Sequence, residues 1–530
     1  MVWSSANALN DESSKIRWAL VPYMHGRLLD VGCGAYKVFP HACGVDSGHH
    51  WGMRGVDVKA EATDLSMFSD ASHDCVYSSH LLEHIVDYKA ALREWTRVVK
   101  VGGYICLYLP HKLFYPNIGQ FGANVDHKHD FMPEDIIEAM KEIGGFDLLE
   151  NEDRNEDDEY SFWQAYKRLP DKRFAESWKD PKPEKTCAVV RYGAIGDMVM
   201  TSSIFPALKE QGYHITLYCQ DNDGYQAVKH DPNVDRFILQ DKDAVPPQFL
   251  EEFWNYTRKK YDKWLNLCES VEATLLASPG RANWEWPNEL RAKYLDRNYL
   301  EWTHELAGVP PPYRPKFHST LTERAWAREK ARSYGRRNVL WSLSGSSGHK
   351  VWPHLDEVMN RILSTYPDAH IVLVGDELCR ILQSGWDGYA KDGVFIEKQM
   401  HPRVHCMSAK WTIRQSMAFA EVADLIIGTE TGLLNAAGHM DAWKIVTLSH
   451  SSEEMLTKHW RNVIALNQPK GVGCTKHPCR QLHGGNGRDA WEDCPFHADE
   501  TMKVSLCQYH VTAEMMWGAV KSVLDQRMAA

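Results

Sequence analysis

Short apolar runs, each too brief for a helix and each closed by glycine or an acid, recur along the chain with helical-period stretches between them. Runs at 28–31, 188–190, 215–220, 236–241 and 261–267 read as strands, as do those opening 338–353, 370–377, 423–440 and 444–450. After the turn Gly193-Ala194-Ile195-Gly196-Asp197, Met198, Ser202, Ile204, Phe205 and Leu208 repeat at helical spacing up to Gly212. Strands alternating with helices predict α/β architecture with doubly wound parallel sheets. The alternation is interrupted twice. Residues 151–185 carry the acidic run NEDRNEDDEY and a stretch rich in Pro and charge, and read as a linker. Residues 308–317, GVPPPYRPKF, read as a crossing between two similar halves. The predicted domains are therefore 1–150, 186–325 and 326–530, the last ending in a packing helix over 512–527.

Composition narrows the classes. A chain of 530 residues exceeds one hydrophobic core, and three domain-sized units are expected. No apolar run approaches the roughly 20 residues needed to span a bilayer, and the N-terminal stretch has no signal-peptide core. A net charge of −11 argues against an extensive nucleic-acid footprint. The 13 cysteines, mostly at apolar positions, are expected as core residues in a reducing, cytoplasmic compartment.

Candidate chemistry begins in the first third. The strand at 28–31 runs into Gly32 and Gly34, a turn where backbone can approach a ligand, and a second strand ends in Asp46. ATDLSMF, HDCVYSSHLLEHI and REWTRVVKVGGYICLYLPH follow in order. This set resembles class I S-adenosylmethionine-dependent methyltransferases over about residues 20–150. The resemblance implies that Asp30, Gly32 and Gly34 lie under the methionine part of S-adenosylmethionine and that Asp46 holds the ribose. It further places Asp64 and Leu65 at the adenine, and Ser79 and His80 over the sulfonium. The turn departs from the family in carrying Tyr36 where a third glycine is usual. Candidate bases for the acceptor hydroxyl are His80, His84 and the cluster Asp126-His127-Lys128-His129-Asp130. His127 and His129 have metal-like spacing, but no third and fourth ligand lies at helical or hairpin distance, so no metal is expected there.

Three further motifs lie in order across 186–465: YGAIGDMVMTSSIFPALK, GSSGHKVWP and GTETGLLNAAGHM. Together they resemble the heptosyltransferase-like glycosyltransferases, family nine, whose architecture is GT-B, a pair of Rossmann-like domains with the active site between them. The resemblance implies inverting, metal-independent sugar transfer from a nucleotide sugar. Asp197 would be the base, and a helix start favours an ionised carboxylate. Lys350, beside Ser344 and Gly345, would neutralise the leaving diphosphate. Glu430, Thr431, Gly432 and Leu433 would meet the donor phosphates at a helix start, and Glu377 would lie near the nucleotide. Glu430 and Asn435 stand where the family usually has Asp and His.

The tail holds Cys474, Cys479, Cys494 and Cys507 at irregular spacing, and zinc, a disulfide and a plain Cys/His loop all stay open. The expected protein is a bifunctional carbohydrate-modifying enzyme whose two sites visit one glycan or glycosylated acceptor. The alternatives are that one half is a binding scaffold, or that the acceptor is a modified nucleic-acid base or a protein. Oligomeric state is not legible.

Overall fold

The computed structural model describes residues 12–48, 55–156, 158–240, 245–345, 347–377, 379–383, 388–391, 394–397, 401–483, 494–498 and 504–526. The chain divides into two compact units, Met1–Thr186 with Ile238–Lys263, and Cys187–Phe237 with Trp264–Ala530. Among the described residues no helix is long and apolar enough to cross a membrane.

The first unit is built on strands β1 (Leu28–Val31), β2 (Cys43–Asp46), β3 (Val58–Lys59), β4 (His73–Ser79), β5 (Val99–Pro110), β6 (Phe146–Arg154), β7 (Ser161–Arg168) and β8 (Phe174–Ala175). They form one sheet in the order β3-β2-β1-β4-β5-β7-β6-β8. Strands β1 to β5 pair in parallel, whereas β7 is antiparallel to both β5 and β6. β1 is buried along its whole length, as a central parallel strand must be. The helices Tyr88–Val98 and Pro133–Ile143 lay Leu92, Trp95, Ile136 and Met140 into the core with Val31, Val76 and Leu107.

Residues 151–185 are not a linker. Phe162, Trp163, Ala165 and Tyr166 are buried in β7, and the acidic run forms the end of the β6–β7 hairpin, where Arg154 donates to Glu159 at 2.8 Å. The charges that suggested a linker sit beside a continuously buried strand. The segment Ile238–Lys263, expected in the second domain, also belongs to the first unit. There Phe253 and Phe249 pack on the Trp18 ring at 5.9 and 6.3 Å, and Trp18 Nε1 donates to Glu252 at 2.9 Å.

The second unit contains two sheets. β9 (Thr186–Val190), β10 (His214–Cys219), β11 (Arg236–Leu239) and β12 (Lys263–Asn266) are ordered β11-β10-β9-β12. β13 (Arg337–Ser342), β14 (Ala369–Val374), β17 (Val404–Cys406), β18 (Leu425–Thr429), β19 (Trp443–Thr447) and β20 (Val463–Leu466) are ordered β17-β14-β13-β18-β19-β20, parallel throughout. A separate antiparallel pair, β15 (Gly388–Lys391) and β16 (Val394–Glu397), completes the strands. Two such sheets in succession form the GT-B architecture. The helix expected after the Gly193 turn is split into Ile195–Thr201, a 3-10 turn Ser202–Ile204, and Phe205–Glu210. Pro206, without an N–H, resets the helix at its first turn. Ala513–Gln526 is the packing helix expected at the end, with Met516, Val520, Val523 and Leu524 buried.

Candidate functional site

In the first unit the ends of β1 and β2 and the segments after β3 and β4 frame a cavity of about 270 Å³, lined in part by Gly32, Asp46, Ser47, Thr63, Leu81 and His84. Gly32 sits at φ +80°, and a Cβ there would lie 2.7 Å from Leu81 Cδ2, so only glycine keeps this wall open. Asp46 is held by the backbone N–H groups of Gly34 at 3.0 Å and Gly48 at 2.7 Å. Gly32 and Asp46, both expected at the cofactor, line this one cavity.

Other expected cofactor residues are placed differently. Asp30 is 1% exposed and its carboxylate accepts the Val38 N–H at 2.7 Å, which makes it a brace for the turn. The Leu65 side chain is buried, and its N–H is taken by Glu94 at 3.0 Å. Asp64 accepts the Ser66 N–H at 3.1 Å, with its neighbour Thr63 lining the cavity. Ser79 Oγ is buried without a hydrogen-bond partner.

His80 sits at φ +46°, a conformation that costs a non-glycine residue about 1 kcal/mol or more. Its Nε2 lies 2.9 Å from Ser161 Oγ, and burial drives the imidazole down to about 3, so it stays neutral. The loop holding His127 folds back onto the turn after β4: the N–H groups of Lys128 and His129 donate to the Glu83 carbonyl at 2.6 and 3.2 Å. His129 Nε2 lies 3.0 Å from the Ile85 carbonyl, which makes it a fastener of the loop. His127 is buried, and burial and His84 lower its basicity. Glu83 meets both histidines, with Oε1 3.9 Å from His84 Nε2 and 4.0 Å from His127 Nε2. Burial pushes the Glu83 carboxyl up to about 8. No further ligand type was expected at helical or hairpin distance from His127; the fold brings Glu83 and His84 to it from a 3-10 turn at Leu82–His84, a separation in sequence that no helix or hairpin spacing shows.

In the second unit the three motifs converge. Asp197 opens its helix as the third residue and accepts the Ala194 N–H at 2.9 Å. Arg191, 3% exposed, reaches Asp197 at 2.8 Å and Glu272 at 2.9 Å, so one guanidinium is shared by two carboxylates. Burial and the neighbouring Asp197 raise the Glu272 carboxyl, against the pull of Arg191. Sequence reading missed both partners. Arg191 could have been noticed because it stands two residues before the glycine turn, whereas Glu272 carries no local signal.

The helix at Gly432–Ala437 packs on that turn. A Cβ at Gly432 would lie 2.5 Å from Ile195 Cγ2, and one at Gly196 would meet the Asn435 side-chain nitrogen at 2.8 Å. Lys350 is buried and donates to the Glu430 carbonyl at 3.3 Å. Burial lowers its ammonium while Glu430 and Asp197 oppose that, so Lys350 feels the proposed base directly. Gly345 fits against the Lys350 stem, where a Cβ would lie 2.8 Å from Cδ, and Ser344 precedes it half-buried. Thr431 caps its helix through Leu434 N–H at 3.2 Å and touches Ser342 Oγ at 3.2 Å. Leu433 is buried beneath it.

Glu430 differs from expectation. Its carboxylate turns into the interior and accepts from Ser449 N and Oγ at 2.9 Å each, and from Ser451 N at 3.1 Å, with His450 Nδ1 at 2.7 Å. Burial would raise this carboxyl, but His450, Lys350 and the Ser449 hydrogen bond hold it well below the usual carboxylate range. It anchors the 449–451 loop. Glu377 is exposed and paired with Arg380 at 2.8 Å. A cavity of about 390 Å³ opens beside the second motif, lined in part by Gly348, Val351, Trp352 and Pro353. Cys474, Cys479, Cys494 and Cys507, all free thiols, line one small cavity of about 20 Å³ together with His477 and His483. Burial pushes the Cys479 thiol up to about 12.

Residues 29–107 match the family model described as a methyltransferase domain. No curated protein matches the chain. Among solved structures, the glycosyl transferase family 9 protein of Veillonella parvula aligns with 65% of this chain and 99% of its own, at 14% identity and TM-score 0.45. The ADP-heptose lps heptosyltransferase II of E. coli aligns with 65% of this chain and 100% of its own, at 13% identity and TM-score 0.44. An S-adenosylmethionine-dependent methyltransferase of Mesorhizobium loti aligns with 30% of this chain and 100% of its own, at 17% identity and TM-score 0.25.

Proposed function

We propose that the chain is a transferase with two active sites, one for methyl transfer from S-adenosylmethionine and one for inverting sugar transfer from a nucleotide sugar. The observation that carries the second activity is the convergence of Asp197, Lys350 and the Glu430–Thr431 turn, from three separate stretches, on one place. Asp197, oriented by Arg191 and by the Ala194 N–H, takes the proton of the acceptor hydroxyl as that oxygen attacks the anomeric carbon. Lys350 faces the departing diphosphate, and its burial makes its charge count for more than it would in water. With this lysine in place the displacement needs no metal ion.

The first activity rests on the methyltransferase match and on a cavity whose walls suit the cofactor: glycine where backbone must come close, and Asp46 with two oxygens for a ribose. The cofactor supplies an electrophilic methyl group. Gly32 gives it room and Asp46 orients it, while Ser79, with an unpaired buried hydroxyl, ends β4, the strand paired with β1. Both activities act on one glycan or glycosylated acceptor, in the cytoplasm.

Calorimetric titration with S-adenosylhomocysteine and with a panel of nucleoside diphosphates tests this reading. One-to-one binding of both classes, with the diphosphate lost in Lys350→Ala, is the expected result. Binding of one class alone would identify the other half as a scaffold.

A further inference from the structure

We propose that Glu83, His84 and His127 form a binding site for a divalent transition-metal ion at the wall of the first unit's cavity. Their ligand atoms all lie within 4.8 Å of one another, the one such group among the described residues. Glu83 is 1% exposed, and both of its carboxylate oxygens are buried without a hydrogen-bond partner. A buried carboxylate is rare unless it is paired or holds a metal. Two imidazoles stand near it, at 3.9 and 4.0 Å from Oε1, and their rings stand at 83° with centroids 4.8 Å apart. Metal–ligand bonds of about 2.0–2.1 Å set donor atoms about 3.3 Å apart in a tetrahedron, so closure asks roughly half an ångström of each side chain. Two imidazole nitrogens and one carboxylate suit zinc or iron(II) and leave coordination positions open.

The scaffold is prepared for such a site. Glu83 and His84 sit on one short 3-10 turn at the end of β4. The backbone carbonyl of Glu83 itself receives the Lys128 and His129 N–H groups, which fixes His127 over the carboxylate. His129 fastens the same loop to Ile85. His84 also lines the cavity beside Gly32 and Asp46. On the methyltransferase reading above, the ion would therefore stand next to the methyl donor and offer a substrate hydroxyl a Lewis-acid partner.

The full-length chain, stripped with a chelator, is titrated with zinc alone and with cobalt(II) alone, and bound ion is counted by atomic emission. Glu83→Gln and His84→Ala are each expected to bind one ion fewer per chain than wild type, or to bind it at least ten-fold more weakly. In the cobalt spectrum the d–d bands of nitrogen and oxygen ligation should vanish, while any thiolate charge-transfer band persists. Equal stoichiometry and affinity in wild type and both variants would overturn the proposal. His84 is partly exposed, so its variant tests the site even where Glu83→Gln fails to fold. S-adenosylhomocysteine titrated in parallel separates the two readings: ion binding without cofactor binding sinks the methyltransferase reading and leaves the site.

Discussion

Asp197, the proposed base, shows how much of a residue's setting lies outside its own motif. The glycine turn was legible in the sequence because it joins an apolar run to a helical pattern, and it delivers the carboxylate to a helix start. What the sequence did not show is that Arg191 binds Asp197 and Glu272 at once, because Glu272 is brought there only by the fold. Asp197→Asn keeps the N-terminal geometry of the helix and removes the proton acceptor. Its kcat for sugar transfer should fall by about 10²- to 10⁴-fold with diphosphate affinity unchanged, as single-turnover kinetics and calorimetry would show. Arg191→Met has a different signature. It leaves two partly buried carboxylates without their shared counter-ion, which should cost about 1–3 kcal/mol. The urea midpoint should drop accordingly, and Glu272→Gln added to Arg191→Met should recover part of that loss.

Elements were legible where an apolar run ended in glycine or an acid, as at β1, β9, β13, β14 and β18. They were misread where charge masked burial, as at β7, or where a segment packs with a unit distant in sequence, as Ile238–Lys263 does. The helix Ile413–Ala420 illustrates packing that no local pattern reveals. Its Arg414, 4% exposed, bonds Glu323 at 2.6 Å and donates to the carbonyls of Gln226 at 2.7 Å and His318 at 2.8 Å. One guanidinium therefore joins the helices Asp223–Val228, Leu321–Tyr334 and Ile413–Ala420. Burial would raise the Glu323 carboxyl, but Arg414 overcomes it and brings the group down from 4.5 to about 2. A carboxyl lowered on folding stabilises the native state fully above its unfolded value, and that contribution is lost as pH falls. The wild-type melting temperature should therefore decline between pH 4.5 and 2, and Glu323→Gln should show a shallower decline from a lower starting point. Gly32→Ala acts on the first unit alone. With φ at +80° and Leu81 at 2.7 Å, it should cost about 1–3 kcal/mol and abolish S-adenosylhomocysteine binding, measured by melting and by calorimetry.

At the scale of the whole molecule, the two proposed chemistries draw on separate sets of residues. Gly32, Asp46 and His84 belong to the first unit, and Asp197, Lys350 and Glu430 to the second. Effects of substitutions that share no partner add, so a change in one set should leave ligand binding by the other within about two-fold. Asp46→Asn removes the charge that suits a ribose, whereas Lys350→Ala removes the charge that suits a diphosphate. The single variants should each lose one ligand, and the double variant should lose both by the product of the single effects. Calorimetry on the four proteins closes this cycle. A coupling free energy near zero means that the two sites bind their ligands independently. A coupling of 1 kcal/mol or more means that occupancy of one site changes the other, and by linkage the effect must appear equally in both directions. Acceptor assays then follow from the same four proteins: if both reactions visit one glycan, Lys350→Ala should also slow methylation of an unglycosylated acceptor mixture, because the methyl acceptor is no longer made, while methylation of the purified glycosylated product stays at the wild-type rate.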